Sequence, residues 1–387
     1  MQLLLIYKHM RHSIILLFVS VLLVSCSGNG NKASVESVNN AVDTVYTVEY
    51  AKGFTVKKYA EYKEVTVVDP WDSTRILQRY ILVDKNKALP ANLPQGTVIR
   101  TPLSSVVAYS TIHCATLNEI GVLNTVKGVC EPRYIDIDYI QDGIKKGTIA
   151  DLGQAANPVI EKIVDVDPEA IFATPIQGRT YGSIDKAGIP VIETPDYMEP
   201  LPLGRAEWIR FYSLFFDKES QVDSLFNNTV SNYNAIKDKL ASVKDKPSVF
   251  IDLMYGNVWY TSGGGSFISR MLSDAGATYI WSDDDRVAST PLAFEQVLDK
   301  AGDAQYWLIK YNQPHDLTYT SLEKEYKPYS YFSAFKNRNI YGCNAGKKSY
   351  YEDLPIHPDY ILEDFAYIFH PDLFPDYIPR YYSKMEE

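Results

Sequence analysis

Arginines and tyrosines placed just after short apolar runs are the residues of this sequence best suited to hold another molecule. Tyr109 and His113 follow the run 106–109, and Arg133 and Tyr134 follow 126–130. Gln177, Arg179 and Tyr181 follow 171–174, and Tyr197, Met198 and Arg205 follow 190–193. In the C-terminal half, Trp259 and Tyr260 precede Gly263-Gly264-Gly265, while Tyr311 and His315 follow 306–310. A guanidinium offers a planar fork of donors to carboxylates and other anions, and a tyrosine offers a flat ring with a polar tip. The chemistry expected of such a set is non-covalent capture, with no catalytic residue and no resident cofactor. The sequence contains no G-x-S-x-G elbow, P-loop, H-E-x-x-H or C-x-x-C pattern. Gly263-Gly264-Gly265-Ser266 lacks a lysine at P-loop spacing and reads as a tight strand-to-helix turn. His113, His315, His357 and His370 are too dispersed to converge on a bare metal ion.

These residues need a frame that brings strand ends together. From Thr44 to Val83 the chain reads as strands, with alternating or β-branched runs such as Tyr46–Tyr50 and Tyr80–Val83. After Pro102, short apolar strands alternate with helices, which implies a parallel sheet covered on both faces. Lys218–Val243 has no Pro or Gly and carries apolar residues at Val222, Leu225, Phe226, Val230, Tyr233, Ile236 and Leu240, a helical spacing. Such a helix is a rod of roughly 37 Å. A second alternation follows: strand 248–253, helices 266–275 and 294–301, and strand 306–310. The expected fold is α/β, with two Rossmann-like lobes of mostly parallel sheet joined by one long backbone helix. The ligand cleft would lie between the lobes, where strand carboxyl ends face one another. The boundaries expected are an N-terminal lobe over 44–205 with extra strands, a connecting helical segment over 206–244 and a C-terminal lobe over 245–387.

The first 25 residues have the order of an export signal: Lys8 and Arg11, an apolar run from Ile14 to Leu23, then Leu23-Val24-Ser25-Cys26. The apolar run is about half the length needed to span a bilayer. Leu-Val-Ser-Cys resembles the lipobox of bacterial lipoproteins, which implies lipidation of Cys26 and a membrane anchor. The Ser/Gly/Asn-rich residues after it suit a flexible tether over 26–43. Cys114 and Cys130 are near enough to pair in an oxidising compartment, although their apolar surroundings suit buried thiols better. A net charge of −10 and the lack of a basic run argue against nucleic acid as a partner.

From Thr101 to Tyr382 the chain resembles the substrate-binding proteins of ABC importers for iron chelates, haem and cobalamin. The resemblance rests on Asp151–Ile171, where a Gly, a short loop and a Glu-bearing helix end in Asp167-Pro168-Glu169-Ala170-Ile171. It rests also on Lys186-Ala187-Gly188-Ile189-Pro190-Val191, Thr261–Phe267, Asp274-Ala275-Gly276-Ala277 and Phe294-Glu295-Gln296-Val297. That resemblance implies two α/β lobes bridged by a long helix, and a metal chelate (siderophore, haem or cobalamin) as ligand. It further implies a permease with its ATPase as partner, and docking through Glu161 on the first lobe and Glu295 on the second. Two other functions are compatible with the sequence: a lipid-anchored chelate scavenger that meets no permease, and a lipid-anchored hydrolase.

Overall fold

The computed structural model describes residues 43–387. The expected export signal, Cys26 and nearly all of the tether lie outside the described residues.

Five strands come first: β1 (Thr44–Tyr46), β2 (Phe54–Lys58), β3 (Lys63–Val68), β4 (Ile76–Asp84) and β5 (Thr97–Thr101). They form one sheet in chain order, antiparallel until β5, which runs parallel to β4. Alternation sorts its side chains: Phe54, Val56, Val65, Val67, Tyr80 and Leu82 enter the core of the first lobe, whereas Ile81 and Val83 pack on Tyr62 beneath Leu93.

The first lobe then alternates β6 (Val106–Ala108), α1 (Thr111–Glu119), β7 (Val126–Val129), α2 (Asp138–Lys146), β8 (Ala150–Asp151), β9 (Gly153–Gln154), β10 (Asn157–Pro158), α3 (Ile160–Val166), β11 (Ala170–Ala173), α4 (Ser183–Ala187) and β12 (Val191–Glu193). Its sheet is all parallel, in the order β12-β11-β6-β7-β8. Every residue of β6 and β11 is buried, as continuous apolar runs predict for a sheet covered on both faces.

The connector is two helices, α5 (Pro202–Ser213) and α6 (Glu219–Leu240). It starts at Pro202, earlier than the position 206 expected, because proline suits a first helical turn and all of α5 is buried. Both helices serve both lobes: on α5, Leu203 lies in the second-lobe core and Trp208 and Phe211 in the first. Val222 and Phe226 lie in the first-lobe core, while Tyr233, Ile236 and Leu240 lie in the second.

In the second lobe come β13 (Ser248–Ile251), β14 (Met254–Tyr255), β15 (Val258–Thr261), α7 (Phe267–Asp274), β16 (Thr278–Tyr279), β17 (Thr290–Leu292), α8 (Phe294–Ala301), β18 (Tyr306–Tyr311), β19 (Ile340–Asn344) and β20 (Ser383–Lys384). Sheet β16-β13-β18-β19-β20 is parallel except for β20 at its edge, and β14, β15 and β17 form a separate antiparallel sheet. A Cβ on Gly264 or Gly265 would collide with the backbone of 281–286, so the glycine run is a packing turn. Ser266 caps α7 through its hydroxyl.

Buried carboxylates tie irregular backbone to these elements. Glu207, fully buried on α5, accepts from the N–H groups of Glu49, Tyr50 and Ala51 at 2.7–3.1 Å. Glu199 accepts from the N–H groups of Lys52 and Gly53 and from the Trp208 indole. Asp364 accepts from the N–H groups of Arg380, Tyr381 and Tyr382 and from the Tyr377 hydroxyl. Cys114, Cys130 and Cys343 are unpaired buried thiols, each pushed up to about 12 by burial.

Candidate functional site

Strand carboxyl ends from both lobes meet around a cleft of about 710 Å³. From the first lobe, Ser110 and Thr111 follow β6, and Cys130, Glu131, Arg133, Tyr134 and Asp136 follow β7. From the second, Asn312 follows β18, while Gly346, Lys348, Tyr351 and Glu352 follow β19. The loop after β7 is held in shape. Glu131 adopts a left-handed backbone (φ 51°) and its N–H donates to Gly153 at 2.7 Å. Gln141, from α2, donates to the carbonyls of Pro132 and Ile135. Within it the Arg133 guanidinium lies over the Tyr134 ring at 4.5 Å, and that ring is 52 % exposed. This is a cationic, flat platform at the mouth of the cleft.

On the facing wall, Asn344 at the end of β19 donates to the Gln313 carbonyl and to Asp316, which fixes the loop beside Asn312. Burial raises the Tyr351 hydroxyl above its ordinary value, so it remains a neutral donor. Glu352 is raised by burial, and the charges of Asp353 and Asp136 push the same way. Asp136 belongs to the first lobe and Glu352 to the second, so like charges oppose one another across the cleft. The cleft thus combines aromatic faces and hydroxyls with charges of both signs, a lining suited to one sizeable molecule of mixed polarity.

A second cavity of about 540 Å³ lies against the first lobe, and its lining shares Ser110 and Glu131 with the cleft. Tyr109, Thr174, Arg179, Thr180 and Tyr181 supply its polar groups, and Ile160, Ile176 and Ile184 its apolar walls. The Arg179 guanidinium donates to the Ala156 carbonyl. Tyr181 donates to Glu193 at 3.0 Å, and Gln78 of the N-terminal sheet donates to the same carboxylate at 2.7 Å. Burial raises Glu193 above the usual carboxylate range despite these two bonds.

The expected binding residues therefore divide. Arg133 and Tyr134 line the cleft, and Tyr109, Arg179 and Tyr181 line the first-lobe cavity. Three expectations are corrected by burial. His113 is 0 % exposed, with Nε2 3.0 Å from the Thr194 hydroxyl, and burial lowers it to about 3, so it is a neutral core residue. Trp259 is 0 % exposed, packs among Phe250, Trp307 and Phe332, and donates to the Ile251 carbonyl. Arg205 is buried, 3.6 Å from Asp196 and over the Phe267 ring, joining α5 to α7. Gln177, Tyr197, Tyr260, Tyr311 and His315 line neither cavity. Tyr197 donates to the Pro175 carbonyl, the Tyr311 hydroxyl accepts from the Leu317 N–H, and Tyr260 stands half exposed on β15. Lys348, Tyr351 and Glu352 escaped the sequence reading because it did not identify β19, whose five residues include a Gly and a Cys.

Glu161 and Glu295 occupy matching positions, each exposed in the first turn of a short helix, α3 and α8. A carboxylate there is favoured by the helix dipole and stays free to meet a partner.

Residues 106–345 match the profile of the periplasmic binding protein family. An uncharacterized lipoprotein of Methanocaldococcus jannaschii is 24% identical over 372 residues, covering 89% of this chain and 87% of the relative. Among solved structures, an ABC-type Fe3+-hydroxamate transport system protein from Saccharomonospora viridis has a TM-score of 0.54 at 18% identity, covering 70% of this chain and 94% of its own. A periplasmic heme binding protein from Pseudomonas aeruginosa has a TM-score of 0.53 at 13% identity, covering 70% and 93%.

Proposed function

Because the chain belongs to the periplasmic binding protein family, we propose that it is the substrate-binding component of an ABC importer. It captures an iron chelate (siderophore or haem) or cobalamin in the inter-lobe cleft and delivers it to an inner-membrane permease and its ATPase. It does so tethered to a membrane through lipidated Cys26, facing the periplasm. The observation that carries this reading is the cleft itself: strand ends of two parallel sheets face each other across it, with the Arg133–Tyr134 platform on one side and Tyr351 on the other. Similar folds named for Fe3+-hydroxamate transport and for heme binding support the choice of ligand class. The relative named as a lipoprotein supports the anchor.

Titration of the purified protein with hemin, ferrichrome and cobalamin tests the ligand. A Kd below about 10 μM, or about −7 kcal/mol, is expected for one of the three, and weaker binding of all three removes the reading. Arg133→Gln should weaken that ligand by roughly tenfold, the value of one charge-assisted hydrogen bond. For the permease, Glu161→Ala combined with Glu295→Ala should abolish uptake while ligand affinity in solution is retained. Exposed carboxylates set steering and register between partners, so removing both costs docking alone. Undiminished uptake in the double variant would remove the docking role of these two glutamates.

A further inference from the structure

The first-lobe cavity is lined by a polar group that no atom of the described residues satisfies. Tyr109 is 6 % exposed and lines this space, and its hydroxyl has no hydrogen-bond partner among the described residues. Burial holds the phenol well above its ordinary value, so it is a neutral donor in search of an acceptor. The cation in the lining is Arg179, and a guanidinium can only donate. Ile160, Ile176 and Ile184 supply apolar surface to the same lining. Glu131 stands where the cavity meets the cleft and repels a second negative charge at that point. A free phenol donor, isoleucine walls and one cation among the lining residues suit an acceptor with one negative charge on an aliphatic stem.

We propose that this cavity is a subsite for a carboxylate carried on a short aliphatic arm, which accepts from the Tyr109 hydroxyl and the Arg179 guanidinium. Such an arm belongs either to a chelate seated in the adjoining cleft or to a free short-chain acid. Only the first source rests on the capture function proposed above.

Pentanoate is the probe for the subsite, read by NMR of the protein carrying 13Cζ-labelled tyrosine, with the Tyr109 signal assigned from Tyr109→Phe. A saturable shift of that signal is expected with pentanoate and none with pentylamine, which has the same stem and the opposite charge. Arg179→Gln, a change at an exposed side chain, should weaken the effect about tenfold. No saturable shift, an equal response to pentylamine, or full retention in Arg179→Gln overturns the subsite, because an ordered water on the phenol would be indifferent to all three. Hemin and its dimethyl ester separate the sources. A Tyr109 shift with hemin but not with the ester assigns the arm to the chelate, and a shift with pentanoate alone assigns a free acid. If hemin, ferrichrome and cobalamin all fail to bind while pentanoate saturates, the subsite stands and the capture function falls. Chelate binding without any pentanoate response gives the converse.

Discussion

At the scale of single residues, burial decides role. Tyr109 and His113 are four residues apart, and both follow the same strand. Tyr109 points to a cavity, while His113 lies inward, beside Phe172 and Tyr212. Which side of a strand end a side chain takes depends on the sheet's neighbours, and residue type carries no trace of that. Buried carboxylates follow the same logic. Glu207 is ion-paired to Arg210 at 2.9 Å and holds three backbone N–H groups of the segment after β1. Glu207→Gln keeps the volume but turns an amide NH2 toward donors. It should lower unfolding stability by roughly 2–4 kcal/mol, with the loss concentrated in amide protection of residues 49–51. An unchanged denaturation midpoint would show that the segment is held by other contacts.

Among elements, α6 is placed to couple the two cores. Its apolar periodicity was legible from spacing alone, and the observed bounds differ from the expected ones only by frayed ends. The division of that stripe between two cores could not be read from spacing, because a helical period marks a buried face without naming what covers it. Phe226 sits in the first core and Tyr233, two turns on, in the second. Phe226→Ala should cost roughly 3–5 kcal/mol as a core cavity. If α6 couples the lobes, hydrogen exchange in denaturant will show β6 and β13 losing protection at one lowered midpoint. Separate midpoints would show two independent folding units.

At the scale of the whole molecule, the lobes are latched beyond α6. Ile356 enters the first-lobe core, and His357 lies 3.4 Å from Glu119 at the end of α1. The imidazole stacks on Tyr360 at 4.5 Å, and Arg380 covers the same ring. Burial opposes charge on His357, but the bond and charge of Glu119, with Asp359 and Asp353, outweigh it and raise the group above 6.5. The folded state therefore binds this proton more tightly than the unfolded chain. Its contribution is complete below about pH 6.5 and disappears as pH rises through the higher folded value. Melting temperature should accordingly fall across that interval. Glu119→Gln should flatten the fall, and an identical pH profile in that variant would remove the latch.

Composition and spacing were enough for the α/β class, the alternation of both lobes and the long helix, because each is a local signal of period, turn chemistry or side-chain type. Tertiary structure alone decided that Trp259 and Arg205 are interior, that Lys348, Tyr351 and Glu352 form the second wall, and that Tyr109 keeps an unsatisfied hydroxyl. Those facts depend on which strands lie side by side and on what covers their ends. Such pairings link residues far apart in the chain, as Val106 with Ala170 in adjacent strands and Arg133 with Tyr351 across the cleft, and no short window of sequence contains both partners.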